Sequence, residues 1–220
     1  MPKLGMGPIR REQICRAAAT VIAREGFAGT TMRMVAAEAG VSTGMLNHYF
    51  VNREALLTQA LVFVSEQAQL RHRAAIEGVP PGVERVTALL DSVLAEDEQT
   101  AEMWRLWTNA YGEAVRLPAL RRTMDRRLQG WHEIIDQALE GLVPPERPAI
   151  PWSWRFDAVL KGLAIHALTS EVALDSAQIR EEVLRMVLPG VKARARALAG
   201  RGGVRRVPTL RDAADRLPQV

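Results

Sequence analysis

The sequence predicts an all-α protein, and three observations carry that prediction. Apolar residues recur at spacings of three and four along almost the whole chain, which is the period of one buried helical face. Alanine, leucine and arginine dominate and β-branched runs are few, so no segment reads as a strand. Glycine and proline cluster between the periodic stretches, where they end helices rather than interrupt them.

The first helix spans about Arg10 to Glu25. Ile14, Ala17, Ala18, Val21 and Ile22 form its apolar stripe, and Gly26 follows as a C-terminal glycine. Thr31 caps a second, short helix holding Met34, Val35 and Ala37, which stops at Gly40. Ser42 caps a third that ends near Tyr49-Phe50. Two short helices joined across Ala39-Gly40-Val41-Ser42 have the spacing of a helix-turn-helix, whose second member enters the DNA major groove. Asn52 caps a longer linking helix over about 52–76, with Leu56, Leu57, Ala60, Leu61 and Val64 on its apolar face.

Breaks at Gly78-Val79-Pro80-Pro81-Gly82, at Leu117-Pro118 and from Pro144-Pro145 to Pro151 separate further helices. These are predicted over 83–98, 101–115, 119–141, 153–174 and 176–198. The expected organisation is therefore an N-terminal three-helix helix-turn-helix domain (1–51) and a larger helical bundle (52–198). A basic tail rich in glycine and arginine (199–220) is expected to be mobile.

The net charge of +4 hides a division along the chain. Residues 1–53 hold seven basic side chains against three acids, 54–191 fourteen against twenty, and 192–220 eight against two. A basic head on an acidic body suits a protein that meets a polyanion with one end. Cys15 is the one cysteine, so the chain forms no internal disulfide and no cysteine zinc site. No stretch approaches the ~20 apolar residues of a membrane span, and a cytoplasmic location is expected.

The string Thr30-Thr31-Met32-Arg33-Met34-Val35-Ala36-Ala37-Glu38-Ala39-Gly40-Val41-Ser42-Thr43-Gly44-Met45-Leu46-Asn47-His48-Tyr49-Phe50, followed by Arg53-Glu54-Ala55-Leu56-Leu57, resembles the TetR family of bacterial repressors over about residues 9–60. The amino terminus, Met1-Pro2-Lys3-Leu4-Gly5-Met6 through Pro8-Ile9-Arg10-Arg11, and the Gly44–Phe50 region are similar to the choline-responsive repressors of glycine betaine synthesis within that family. Body similarity is confined to the segments around Trp104 and Trp107 and near Gly162-Leu163. The resemblance implies a repressor of operator DNA released by a small effector. Asn47 and Arg53 depart from the Tyr and Lys that many members carry, at positions that usually face the DNA backbone.

On the third helix Leu46 and Phe50 should point inward, leaving Thr43, Gly44, Met45, Asn47 and His48 toward the groove. Asn47 can read an adenine edge, Thr43 and Met45 can pack on a thymine methyl, and Gly44 permits close approach. Thr31, Arg33, Ser42, Tyr49 and Arg53 are the expected phosphate clamps, all but Tyr49 at helix amino termini that suit anions. Lys3, Arg10 and Arg11 are candidates for a minor-groove arm. A head this small needs two copies on one operator, so a homodimer is expected through helices 153–174 and 176–198. Val159, Leu160, Leu163, Ala164, Ala167 and Leu168, with Gly162, offer the packing face.

In the body, Trp104, Trp107 and Tyr111 share one helical face, and Trp131, Trp152, Trp154 and Phe156 come from other segments. Aromatic walls beside a carboxylate hold quaternary ammonium cations. The candidate ligand-binding residues are Trp104, Trp107, Tyr111, Trp131 and His166, with Glu102, Asp136, Asp157 and Glu171 as candidate carboxylates. Core filling is the competing reading of each tryptophan. An enzyme is the reading from another class. The four histidines are dispersed and no glycine-rich phosphate loop or metal-spaced set appears, so neither catalytic residue, metal ligand nor cofactor is assigned. A DNA-binding regulator without a ligand is the remaining alternative.

Overall fold

The computed structural model describes residues 6–143, 149–171 and 174–187. Among these the chain forms nine helices and no strand: α1 (Met6–Gly29), α2 (Met32–Glu38), α3 (Thr43–Tyr49), α4 (Arg53–Ile76), α5 (Val83–Val93), α6 (Glu98–Ala114), α7 (Pro118–Ala138), α8 (Trp152–Thr169) and α9 (Ser176–Val187). The basic tail, the last eleven residues of the 176–198 helix and the prolines at 144 and 145 lie outside the described residues.

Local chemistry explains the first four helices. The regular turn of α1 breaks at Gly26, where φ is +72°, a backbone setting that costs an L side chain energy through its Cβ. Thr31 Oγ1 accepts from the Met34 N–H at 3.2 Å, Ser42 Oγ from Met45 at 3.1 Å and Asn52 Oδ1 from Ala55 at 2.8 Å. Each cap satisfies an amide that the helix itself leaves unpaired. Gly40, at φ +64°, makes the turn between α2 and α3.

Several helix ends differ from expectation, and α7 stops at Ala138 rather than at 141. The stretch expected as one helix over 83–98 stops at Val93, and α6 starts at Glu98 instead of 101. Asp97 is the cause: its Oδ1 accepts from the Thr100 N–H at 2.6 Å, an N-cap hidden inside a periodic run. The helix expected over 153–174 ends at Thr169, where Ser170 turns extended and its hydroxyl donates to the His166 carbonyl at 2.7 Å.

The chain divides into two compact units. One comprises the described residues up to Ala68 together with Glu102–Leu128; the other comprises Gln69–Ala101 and the described residues from Gln129 onward. In the first, the stripe of α1 packs with Val35, Leu46, Phe50, Leu56, Leu57 and Leu61, and Leu106, Ala110, Leu120 and Met124 join the same core. In the second, the apolar sides of α5 (Val86, Leu89, Leu90), α8 (Phe156, Leu160, Ala164) and α9 (Ile179, Val183) are buried, with α9 packed on α8 and α5. No helix of the described residues is long and apolar enough to cross a membrane.

Candidate nucleic-acid interface

Leu46 is fully buried and Phe50 nearly so. Anchoring α3 through these two positions, one turn apart, turns the opposite side outward. Thr43, Gly44, Met45, Asn47 and His48 are all exposed, so the candidate base readers occupy one continuous surface. Tyr49 is half-buried and packs on the core of its unit, and its ring meets that of His48 edge to face with centroids 5.3 Å apart. Thr31, Arg33 and Ser42 are exposed at or near the amino ends of α2 and α3. Those ends carry unpaired N–H groups and partial positive charge, which suit phosphate oxygens.

Arg53 is held differently from the other candidate clamps. Its Nε donates to the Thr30 carbonyl at 2.5 Å, and its Nη2 donates to the carbonyls of Phe27 and Ala28. The guanidinium thus closes the carbonyl end of α1 and ties it to the start of α4. Most of its donors are committed to the backbone, which fixes the start of α4 against the end of α1. Arg11 lies over the Phe50 ring at 5.2 Å, the stacking of a guanidinium on an aromatic face.

Cys15 is buried on the α1 stripe, and burial pushes its thiol up to about 11. It stays protonated and inert at neutral pH.

The residues proposed for effector recognition have different fates. Trp104 is buried, while Trp107 and Tyr111 pack against the core of the DNA-binding unit, their rings 5.8 Å apart. Trp131 belongs to the other unit. His166 is exposed on α8, as are Asp136 on α7 and Glu171 beyond α8. Of the four candidate carboxylates, Asp157 is the buried one.

Asp157 centres a polar cluster. Trp131 Nε1 donates to its Oδ1 at 2.6 Å, His132 Nε2 to its Oδ2 at 3.1 Å and Lys161 Nζ to the same oxygen at 2.5 Å. Burial opposes ionisation of this carboxyl, but the His132 hydrogen bond, the Lys161 charge and the Trp131 bond outweigh it and hold its pKa below the ordinary value. Burial also lowers the pKa of Lys161, with Asp157 working against it. Nearby, His72 donates from Nδ1 to Ser92 Oγ at 2.9 Å, because the Ser92 hydroxyl hydrogen is given to the Leu89 carbonyl. Burial first, and the Arg71 charge second, push His72 down to about 3, so it is neutral in the fold.

His132, Lys161 and His72 were not recognised as site residues from sequence. The Asp157/Lys161 pair at i, i+4 on a helix is a legible signal; the approach of Trp131 and His132 has no local one. The arrangement is a carboxylate already neutralised from within.

Short capped helices, a buried Leu46/Phe50 anchor and an exposed reading face define a helix-turn-helix DNA-binding protein. Comparison with known proteins takes this further. Residues 14–60 match the bacterial regulatory proteins of the tetR family, and residues 82–189 match the C-terminal domain of BetI-type transcriptional repressors. The chain belongs to the TetR family of transcriptional regulators and carries a BetI-type C-terminal domain. It is 31% identical to the HTH-type transcriptional regulator BetI of Burkholderia thailandensis over 67% of its own length and 76% of that protein's. A solved TetR-family regulator from Rhodococcus sp. is similar with a TM-score of 0.70 and 27% identity, over 81% of this chain and 96% of the other. A regulator from Saccharomonospora viridis, solved in complex with choline, shares the fold at a TM-score of 0.69 and 22% identity, over 82% of this chain and 96% of the other.

Proposed function

We propose that the chain acts as a homodimeric repressor that grips operator DNA with α2, α3 and the start of α4 and lets go when a small effector binds the body. The observation that carries the DNA part is the reading face of α3. Five consecutive-turn residues, Thr43, Gly44, Met45, Asn47 and His48, are exposed on a helix whose inner side is locked by Leu46 and Phe50. Thr31, Arg33, Ser42 and Tyr49 clamp flanking phosphates, and Arg53 supports them by fixing α4. The head is residues 1–51, and the linking helix carries the response into the rest of the chain. Two heads joined through α8 and α9 reach two half-sites.

An organic cation such as choline is the effector class favoured by the BetI-type C-terminal domain and by the choline complex of the S. viridis protein of the same fold. The effector prefers a body state in which the linking helix is displaced and the two heads lose groove register. A coupling of ~1–3 kcal/mol relaxes operator affinity by one to two decades. A second reading, a DNA-binding regulator without a small ligand, draws on Asp157, whose oxygens already accept from Trp131, His132 and Lys161.

The test is a footprint on the DNA upstream of the protein's own gene, repeated with choline, betaine aldehyde and other organic cations. Protection that choline releases supports the full reading. Protection that no cation releases retains the regulator and removes the organic-cation effector.

A further inference from the structure

The DNA-binding unit carries an open groove of about 510 Å³ whose lining includes Arg11 of α1, Tyr49 at the end of α3, Val51 and Asn52 of the α3–α4 turn, Glu54 of α4 and Ala119 of α7. Leu120 and Met124 of α7 are buried in the same core as Phe50 and Leu56, which fixes the start of α7 against this turn. Positions i+3 and i+7 share the helical face of i, so Arg122 and Arg126 stand on the Ala119 side of α7. Both are exposed; Arg126 gives one hydrogen bond to Thr123 Oγ1 at 3.1 Å. Arg121 lies about 200° around the helix from Ala119 and faces elsewhere.

Charge segregates in the same sense. Residues 102–128 hold six arginines against three acids, whereas 69–101 and 129–191 together hold eight basic residues against fifteen acids. The basic part of an otherwise acidic body is the part that folds into the DNA-binding unit. The groove lining itself holds one cation, Arg11, and one acid, Glu54; Arg11 stacks over Phe50 and reaches Gln59 Oε1 at 3.5 Å, and the exposed Arg122, Asp125 and Arg126 of α7 lie outside that lining.

We propose that this groove, with the exposed Arg122 and Arg126 on the Ala119 side of α7, is a second phosphate-binding surface, taking the DNA backbone that flanks the bases read by α3. The proposal rests on the DNA-binding reading above. Tyr49 and Asn52 border both the reading helix and the groove, so a duplex laid on α3 continues toward it. Val51, 90% exposed, offers apolar contact to the sugars between phosphates, while the arginines meet the charges. Contacts of this kind add affinity without base preference.

The experiment measures binding of the full chain to the duplex upstream of its own gene and to a random-sequence duplex, each over a salt series. Each phosphate contact contributes about 0.9 to the slope of log affinity against log salt. The R122Q/R126Q variant should lower that slope by roughly 1–2 per protomer and weaken both duplexes about tenfold at low salt. R121Q removes a charge from the same helix but the wrong side, and should change the slope by less than half as much. R122K/R126K should restore most of the slope, separating charge from any structural role of the arginines. An unchanged slope in R122Q/R126Q, an equal loss in R121Q, or no restoration by R122K/R126K overturns the proposal. A wild-type chain that binds neither duplex removes the DNA-binding reading with it, whereas loss of binding in N47A beside an unchanged R122Q/R126Q removes this inference alone.

Discussion

The two units of this protein treat charge in opposite ways. In the DNA-binding unit, candidate contact residues such as Arg33, Asn47 and His48 are exposed, and the partly buried Arg53 is spent on backbone carbonyls. In the other unit an ionised carboxylate and a neutral imidazole are buried at Asp157 and His72, and the half-buried Lys161 ammonium pairs with the carboxylate. A surface charge costs little to keep and stays available to a polyanion. A buried one must be satisfied from within, and its neighbours then become sensitive to any change in it. The first unit is built to present charge, the second to conceal it.

The largest effect expected from this contrast lies at Asp157. Asp157→Ala removes the buried carboxylate on which the Trp131, His132 and Lys161 bonds converge and should destabilise the fold by about 3–5 kcal/mol, read by urea denaturation. Replacing the pair together, Asp157→Leu with Lys161→Met, should recover much of that loss. Recovery failing in the double variant would mean that the carboxylate organises more than its own charge balance.

Acid should expose the same difference. His72 is held at about 3 against an ordinary 6.5, so the folded state binds this proton later than the unfolded chain. Its contribution is whole above pH ~6.5 and is lost as pH falls from there toward 3. At pH 4 the loss is about 3 kcal/mol at one unit per 1.36 kcal/mol. The lowered Asp157 pKa adds its own loss only below the ordinary 3.8. A His72→Asn variant should therefore flatten the stability profile between pH 6.5 and 4 and leave the steeper region below it, as thermal unfolding across pH would show.

In the DNA-binding unit the sign reverses: function falls while stability holds. Asn47→Ala should cost about 1–3 kcal/mol of operator binding, tenfold or more in a gel-shift titration, with the unfolding midpoint unchanged. The smallest effect is expected at the caps. Thr31→Ala should lower stability by about 1 kcal/mol through the lost bond to the Met34 N–H. If Ser42→Ala weakens DNA binding more than Thr31→Ala does at equal stability loss, the α3 amino terminus is the stronger phosphate seat of the two.

Much of the DNA-binding unit was legible because its signals are local. Thr31, Ser42 and Asn52 each cap a helix within three residues of themselves, and Gly26 and Gly40 adopt the positive φ that only glycine takes freely. The inward turn of Leu46 and Phe50 follows from helical period alone. Asp97 escaped notice because a cap inside an unbroken apolar pattern looks like any exposed acid. The bonds of Arg53 to the Phe27, Ala28 and Thr30 carbonyls have no local signal, because those carbonyls lie more than twenty residues away in sequence.

The sequence by itself determined the helical class, the caps, the turn glycines and the outward face of α3, all properties that depend on residues a few positions apart. Tertiary structure alone decided what distant residues share. It put Leu106, Leu120 and Met124 in the core of the DNA-binding unit, and it closed Trp131, His132 and Lys161 around Asp157. The physical reason is range: capping and periodicity act through the backbone within one or two turns, whereas core membership and the fate of a buried charge depend on which helices pack together.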